Sequence, residues 1–95
     1  MEQTIEVPRA GGPGTGLGGD WRVIVQNDDH NTFDHVARTL ATYIPGITLE
    51  RGMEIANVIH SAGRAIVYSG QQEPAEHYWE QLKAAGLTMA PLEQA

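Results

Sequence analysis

The ten residues from Ala10 to Gly19 consist of Gly with Pro, Thr, Ala and one Leu. Such a run buries too little apolar surface to offset the entropy of ordering its backbone. It divides the 95-residue chain into a flexible N-terminal tail, residues 1–19, and one folding unit, residues 20–95. A unit of that length lies near the lower limit for a domain that folds alone. Its core has room for one shallow pocket rather than a deep cleft, which favours a binding module over an enzyme.

Beyond the tail, Trp21-Arg22-Val23-Ile24-Val25-Gln26 reads as a strand rich in β-branched residues, and Asn27-Asp28-Asp29-His30-Asn31 breaks it with turn chemistry. Asn31 or Thr32 is placed to cap a helix with Asp34 in its first turn and Phe33, Val36, Ala37, Leu40 and Ile44 on one apolar face. Pro45-Gly46 ends it. Thr48 caps a second helix, whose inward face is expected to use Leu49, Met53, Ile55, Ala56 and Ile59, with Gly63 as its left-handed stop. Arg64 to Ser69 is a second strand. A third helix is expected to open at Glu73, with Pro74 at its first position, and to run to Gly86. Leu87 to Leu92 is expected to form a last short strand, which Pro91 confines to an edge or an end. The order β-α-α-β-α-β predicts an α/β (α+β) fold, a small, mainly antiparallel three-stranded sheet with three helices on one face.

Composition closes off several functions. Six Lys plus Arg stand against 12 Asp plus Glu, and no basic run exists that would track a phosphate backbone, so nucleic acid is not an expected partner. The acidic balance suits attraction of cationic groups such as an α-ammonium. Absence of Cys removes disulfides, thiolate nucleophiles and most zinc sites. The first eight residues lack the apolar core of a secretory signal, and no apolar run reaches bilayer length, so no membrane association and a cytoplasmic location are expected. A monomer without cofactors is the expected state.

Asn27, Asp28 and Asp29 sit where a strand ends and a helix is about to begin, and His60 lies near the end of the second helix. Adjacent carboxylates beside an Asn are common as plain turn residues, and the other readings are an acid/base pair or half a metal site. The calcium-loop pattern fails for want of a Gly and a terminal Glu at the required offsets, so no metal is expected. No nucleophile or phosphate-loop motif appears, and a catalytic reading has no support. Asn27, Asp28 or Asp29, and His60 do suit an α-ammonium group, which offers three donors and one positive charge. With the first two helices side by side, Phe33 and Val36 would face Ala56 and Ile59 and line an apolar slot beside those acceptors.

Three segments carry a resemblance to a known family: the strand running into Asn27-Asp28-Asp29 before a helix, Ile59-His60-Ser61-Ala62-Gly63-Arg64-Ala65, and Glu73 with Glu76 opening the third helix. Together, from about Trp21 onward, they make the chain similar to the ClpS protease adaptors, also called bacterial N-recognins. The resemblance implies a compact α/β fold that binds without catalysis. It implies that residues matching Asn27, Asp28 or Asp29, and His60 grip a free α-amino group. A bulky first side chain (Leu, Phe, Tyr or Trp) then enters a pocket matching Phe33, Val36, Ala56 and Ile59. It also implies docking on the N-terminal domain of a ClpC or ClpA unfoldase, partly through Glu73 and Glu76, with the tail assisting the hand-off.

The chain departs from the family pattern in places. Asn31-Thr32-Phe33 stands where Thr-Pro-Met is common, Ala56 where another Met is frequent, and Tyr78 where a Lys is frequent. Phe33 is expected to shorten the slot and favour Leu over Trp as the first residue. An alternative function is a docking module that modulates the unfoldase without reading N-termini.

Overall fold

The computed structural model describes residues 7–10 and 20–95. Its elements in chain order are β1 (Arg9–Ala10), β2 (Trp21–Gln26), α1 (Phe33–Tyr43), α2 (Leu49–Ala62), β3 (Arg64–Gly70), α3 (Gln72–Ala84) and β4 (Leu92–Gln94). The β-branched run Val23-Ile24-Val25 makes β2 the centre of the sheet: it pairs antiparallel with β3 on one side and β4 on the other. Val23 and Val25 share one face, and that face collects Val36, Leu40 and Ile44 of α1, Ile55, Ala56 and Ile59 of α2, and Trp79 and Leu82 of α3. All three helices therefore cover the same side, as the element order predicts.

Helix limits follow local chemistry. Thr32 Oγ1 accepts from the His35 N–H at 3.0 Å, and Thr48 Oγ1 accepts from the Arg51 N–H at 3.0 Å. Each cap satisfies one of the donors that a helix N-terminus leaves unpaired. Gly63, at φ 92°, turns the chain out of α2 in the left-handed region and directly into β3. Between α1 and α2 the approach is set by Gly52. A Cβ there would stand 2.6 Å from the Ala37 carbonyl oxygen, so only Gly lets the two backbones meet this closely.

Four expectations need correction. Leu49 and Met53 do not face inward; they are exposed, and Gly52 occupies the inward position between them. α3 begins at Gln72 rather than Glu73, which puts Pro74 at the third helical position. The first turn has no intrahelical acceptor for that residue's N–H, so the missing donor costs nothing there. The final strand is not Leu87–Leu92 but Leu92–Gln94. Upstream of it, Thr88 accepts from the Gln26 N–H and the Ala90 N–H donates to Ile24, but Pro91 lacks an N–H and the pairing register shifts by one residue across it. Finally, the segment read wholly as tail contributes a strand: β1 pairs parallel with β4, and the Leu92 N–H donates to the Pro8 carbonyl at 2.8 Å. The rest of that segment, 1–6 and 11–19, lies outside the described residues.

Among the described residues no helix is long and apolar enough to cross a membrane.

Candidate functional site

Where β2 ends, the Asn27 N–H donates to the Gly63 carbonyl at 2.9 Å, which ties the start of the turn to the end of α2. That bond brings Asn27 beside His60, although 33 residues separate them in sequence. The next residue, Asp28, is the anchor of the turn. Its Oδ1 accepts from the His30 and Asn31 N–H groups at 2.8 and 2.7 Å. Its Oδ2 accepts from Asn31 Nδ2 at 2.7 Å and from Thr88 Oγ1 at 2.8 Å. Burial alone would push this carboxyl up, but the bonds from Asn31, Thr88 and His30 outweigh it and hold its pKa well below the usual carboxylate range. With four donors already bound, Asp28 supplies a permanent negative charge and a rigid loop rather than a free acceptor.

The far side of the turn is fixed by α3. Gly86, at φ 99°, and Leu87 close that helix with paired bonds, the Gly86 N–H to Lys83 and the Leu87 N–H to Leu82. This geometry directs Leu87 into the interior, where it is 3% exposed. Asn31 Nδ2 also donates to the Gly86 carbonyl at 3.0 Å, and His35 Nε2 donates to the Ala85 carbonyl at 3.0 Å. Trp79 Nε1 donates to Ala90 at 2.7 Å and holds the following segment over the core.

These elements enclose a cavity of about 220 Å³. Its lining comes from Val25 and Gln26 of β2, the turn residues Asn27, Asp28 and Asn31, Phe33 and Val36 of α1, Ala56, Ile59 and His60 of α2, and Leu87. Val25, Val36, Ala56, Ile59 and Leu87 are buried, whereas Asn27, Phe33 and His60 are exposed. The cavity thus has an apolar inner end and a polar mouth. Engineered apolar cavities of about 150 Å³ accept benzene, so this one has room for one large side chain. Among the described residues no group of His, Asp and Glu is arranged to hold a metal.

The four residues named from sequence as a pocket and three of the four named as an amine grip therefore line one cavity. Asp29 is exposed and does not line it. Glu73 and Glu76 lie in the first turns of α3, with Glu73 exposed. Ala84, the last residue of α3, lies eight residues beyond Glu76 and eleven beyond Glu73, about 12–17 Å at 1.5 Å per residue, and Leu87 follows it. Sequence reasoning missed Val25, Asn31, Leu87 and Thr88. Only Leu87 carried a signal, since it follows Gly86 where a helix-closing motif places an apolar residue.

The chain is similar to known proteins. The family model described as ATP-dependent Clp protease adaptor protein ClpS matches residues 18–94. An ATP-dependent Clp protease adapter protein ClpS from Nostoc sp. is 57% identical over 76 residues, which cover 80% of this chain and 78% of the relative. The corresponding protein of Thermosynechococcus vestitus is 58% identical over 74 residues, 78% of this chain and 79% of the relative. Among solved structures, that of Agrobacterium tumefaciens ClpS2 bound to L-phenylalaninamide superposes with a TM-score of 0.73 at 21% identity, covering 82% of this chain and 99% of that one. At that identity the likeness establishes the fold. The family match over nearly the whole folded unit and the two relatives establish more: the chain belongs to the ClpS family of ATP-dependent Clp protease adaptors.

Proposed function

We propose that this Clp protease adaptor selects clients by a free α-amino group followed by a bulky apolar first side chain, and delivers them to a ClpC- or ClpA-type unfoldase. The observation that carries the reading is the single cavity with a buried apolar end and a mouth formed by Asn27, His60 and the fixed charge of Asp28. An α-ammonium at the mouth would donate to the Asn27 amide oxygen and to a His60 ring nitrogen, with the Asp28 carboxylate offsetting its charge. The first side chain would then lie among Val36, Ala56, Ile59 and Leu87, where full burial contributes about 1.5–3 kcal/mol. The related ClpS2 is bound to L-phenylalaninamide, a molecule with a free amine and one apolar side chain, and this supports the same use of the fold here.

Docking on the N-terminal domain of the unfoldase is assigned to the opposite end of α3, through Glu73 and Glu76. That separation leaves the cavity open while the adaptor is docked. Residues 1–19 are assigned the assisting role in hand-off.

The discriminating experiment replaces Asn27 and His60 by Ala and measures both peptide binding and unfoldase binding. Loss of peptide binding with retained unfoldase binding supports the reading. Full delivery of clients by both variants would instead support a module that only modulates the unfoldase. Specificity provides a second test. Phe33 is half-exposed at the mouth and narrows it, so a Leu-first peptide is expected to bind at least about fivefold tighter than its Trp-first twin, about 1 kcal/mol. Fluorescence anisotropy with peptides differing only at position one measures this, and tightest binding by the Trp-first peptide would contradict the assignment of Phe33.

A further inference from the structure

The side-chain slot and the amine grip meet at one ring contact. Phe33 of α1 and His60 of α2 lie 5.1 Å apart, centroid to centroid, with their planes at 61° in an edge-to-face arrangement. Among the described residues the His60 imidazole has no hydrogen bond and no ion pair, and Phe33 is the ring packed on it. A binding or ligating imidazole is ordinarily held in one orientation by a hydrogen bond to its second ring nitrogen. His60 lacks that device. Phe33 is 37% exposed, so most of its side chain is covered, whereas His60 stands out at the exposed rim.

We infer that Phe33, besides walling the slot, is the positioning residue for His60, and that its ring presents an imidazole nitrogen to the incoming α-amino group. The inference rests on the amine-recognition reading above. An aromatic pair of this geometry is favourable beyond its area burial, which suffices to select one orientation of an otherwise unrestrained rim side chain. Side-chain selection and amine recognition then become one event. A first residue too large for the slot displaces Phe33, and His60 moves with it. A wrong side chain therefore loses part of its amine contact as well as its fit.

The test is a double-mutant cycle with Phe33→Leu and His60→Ala, read with a free-amine Leu-first peptide, together with nuclear magnetic resonance of the His60 ring in the ligand-free protein. Each single substitution is expected to weaken binding about tenfold, and the pair about tenfold to twentyfold rather than the hundredfold of independent sites. Phe33→Tyr, which keeps the ring, is expected to recover most of the loss seen with Phe33→Leu. In the free protein the His60 ring protons are expected to show a ring-current shift that Phe33→Leu abolishes and Phe33→Tyr preserves. Losses that multiply to the full hundredfold, with His60 signals unchanged by Phe33→Leu, overturn the inference. The wild-type arm separates the two failures. Binding by the wild type with independent losses sinks the coupling alone, and no binding by the wild type sinks the amine reading and the coupling with it.

Discussion

Asp28→Ala is expected to weaken binding of a free-amine peptide by at least about thirtyfold, close to 2 kcal/mol, and to lower stability by about 3 kcal/mol. Four donors converge on this carboxylate: two backbone N–H groups, the Asn31 amide and the Thr88 hydroxyl, which lies 60 residues away in sequence. A bond to a charged acceptor is worth about 1.5–3 kcal/mol when buried, and the half-buried setting reduces the sum to the figure given. The loop would lose its link to the segment after α3, and the cavity mouth would lose its fixed charge. Asp28→Asn is not expected to rescue, because its NH₂ would oppose one of the present donors. Thr88→Ala removes only one of the four bonds and is expected to cost about 1 kcal/mol.

The acid dependence of stability follows from the same residue. The folded carboxyl titrates well below its unfolded counterpart, whose pKa is about 3.9. Its contribution is therefore complete above about pH 4 and declines as pH falls below that value toward the folded pKa. Denaturant melts at pH 7 and pH 3 measure this. The Asp28→Ala variant is expected to lose less stability between the two than the wild type, and an equal loss would contradict the assignment.

Gly52→Val is expected to lower stability by about 3 kcal/mol, a fall in Tm of about 12–24 °C for a domain of this size. Replacing a helical Gly ordinarily stabilises, with Ala worth about 1 kcal/mol over Gly. Here steric contact decides the sign. The Cβ would meet the Ala37 carbonyl oxygen at 2.6 Å and the Ala37 Cα at 3.0 Å, and backbone atoms have no rotamer by which to retreat. α1 and α2 must separate, which also moves Val36 away from Ala56 across the cavity. Asn57→Ala on the exposed side of α2 serves as the control and is expected to leave Tm within about 4 °C. A Gly52→Val protein that melts with the wild type would show that the helices tolerate a wider spacing.

How far the sequence foretold this molecule depended on whether the deciding interaction was local. The caps at Thr32 and Thr48, the left-handed Gly63 and the β-branched run of β2 each act through neighbours within a few residues, and all were legible. Phe33, Val36, Ala56 and Ile59 were legible as one slot because helical periodicity places them on facing stripes. The misreadings of Leu49 and Met53 came from the same periodicity. It assigns a stripe but not its width, and Gly52, with no side chain to signal its role, took the inward place. The last strand starts five residues later and ends two residues later than expected because Pro91 permits a strand on either side of it. Asp28 was legible as a turn residue, yet the donors from Asn31 and Thr88 that occupy both its oxygens depend on tertiary contact. Val25 and Leu87 line the cavity from segments that the sequence marks only as strands.

A free, charged α-amino group is the feature proposed for recognition by this adaptor, and one titration decides it. A fluorescent peptide beginning with free Leu is compared with the same peptide N-acetylated, each titrated with the full-length protein. Acetylation removes the charge and two of the three donors and leaves the side chain unchanged. The free peptide is expected to bind with a Kd of about 1 μM and the acetylated one at least about a hundredfold more weakly, a loss of about 2.7 kcal/mol. Equal affinity for the two peptides, or no binding of either, would contradict the account.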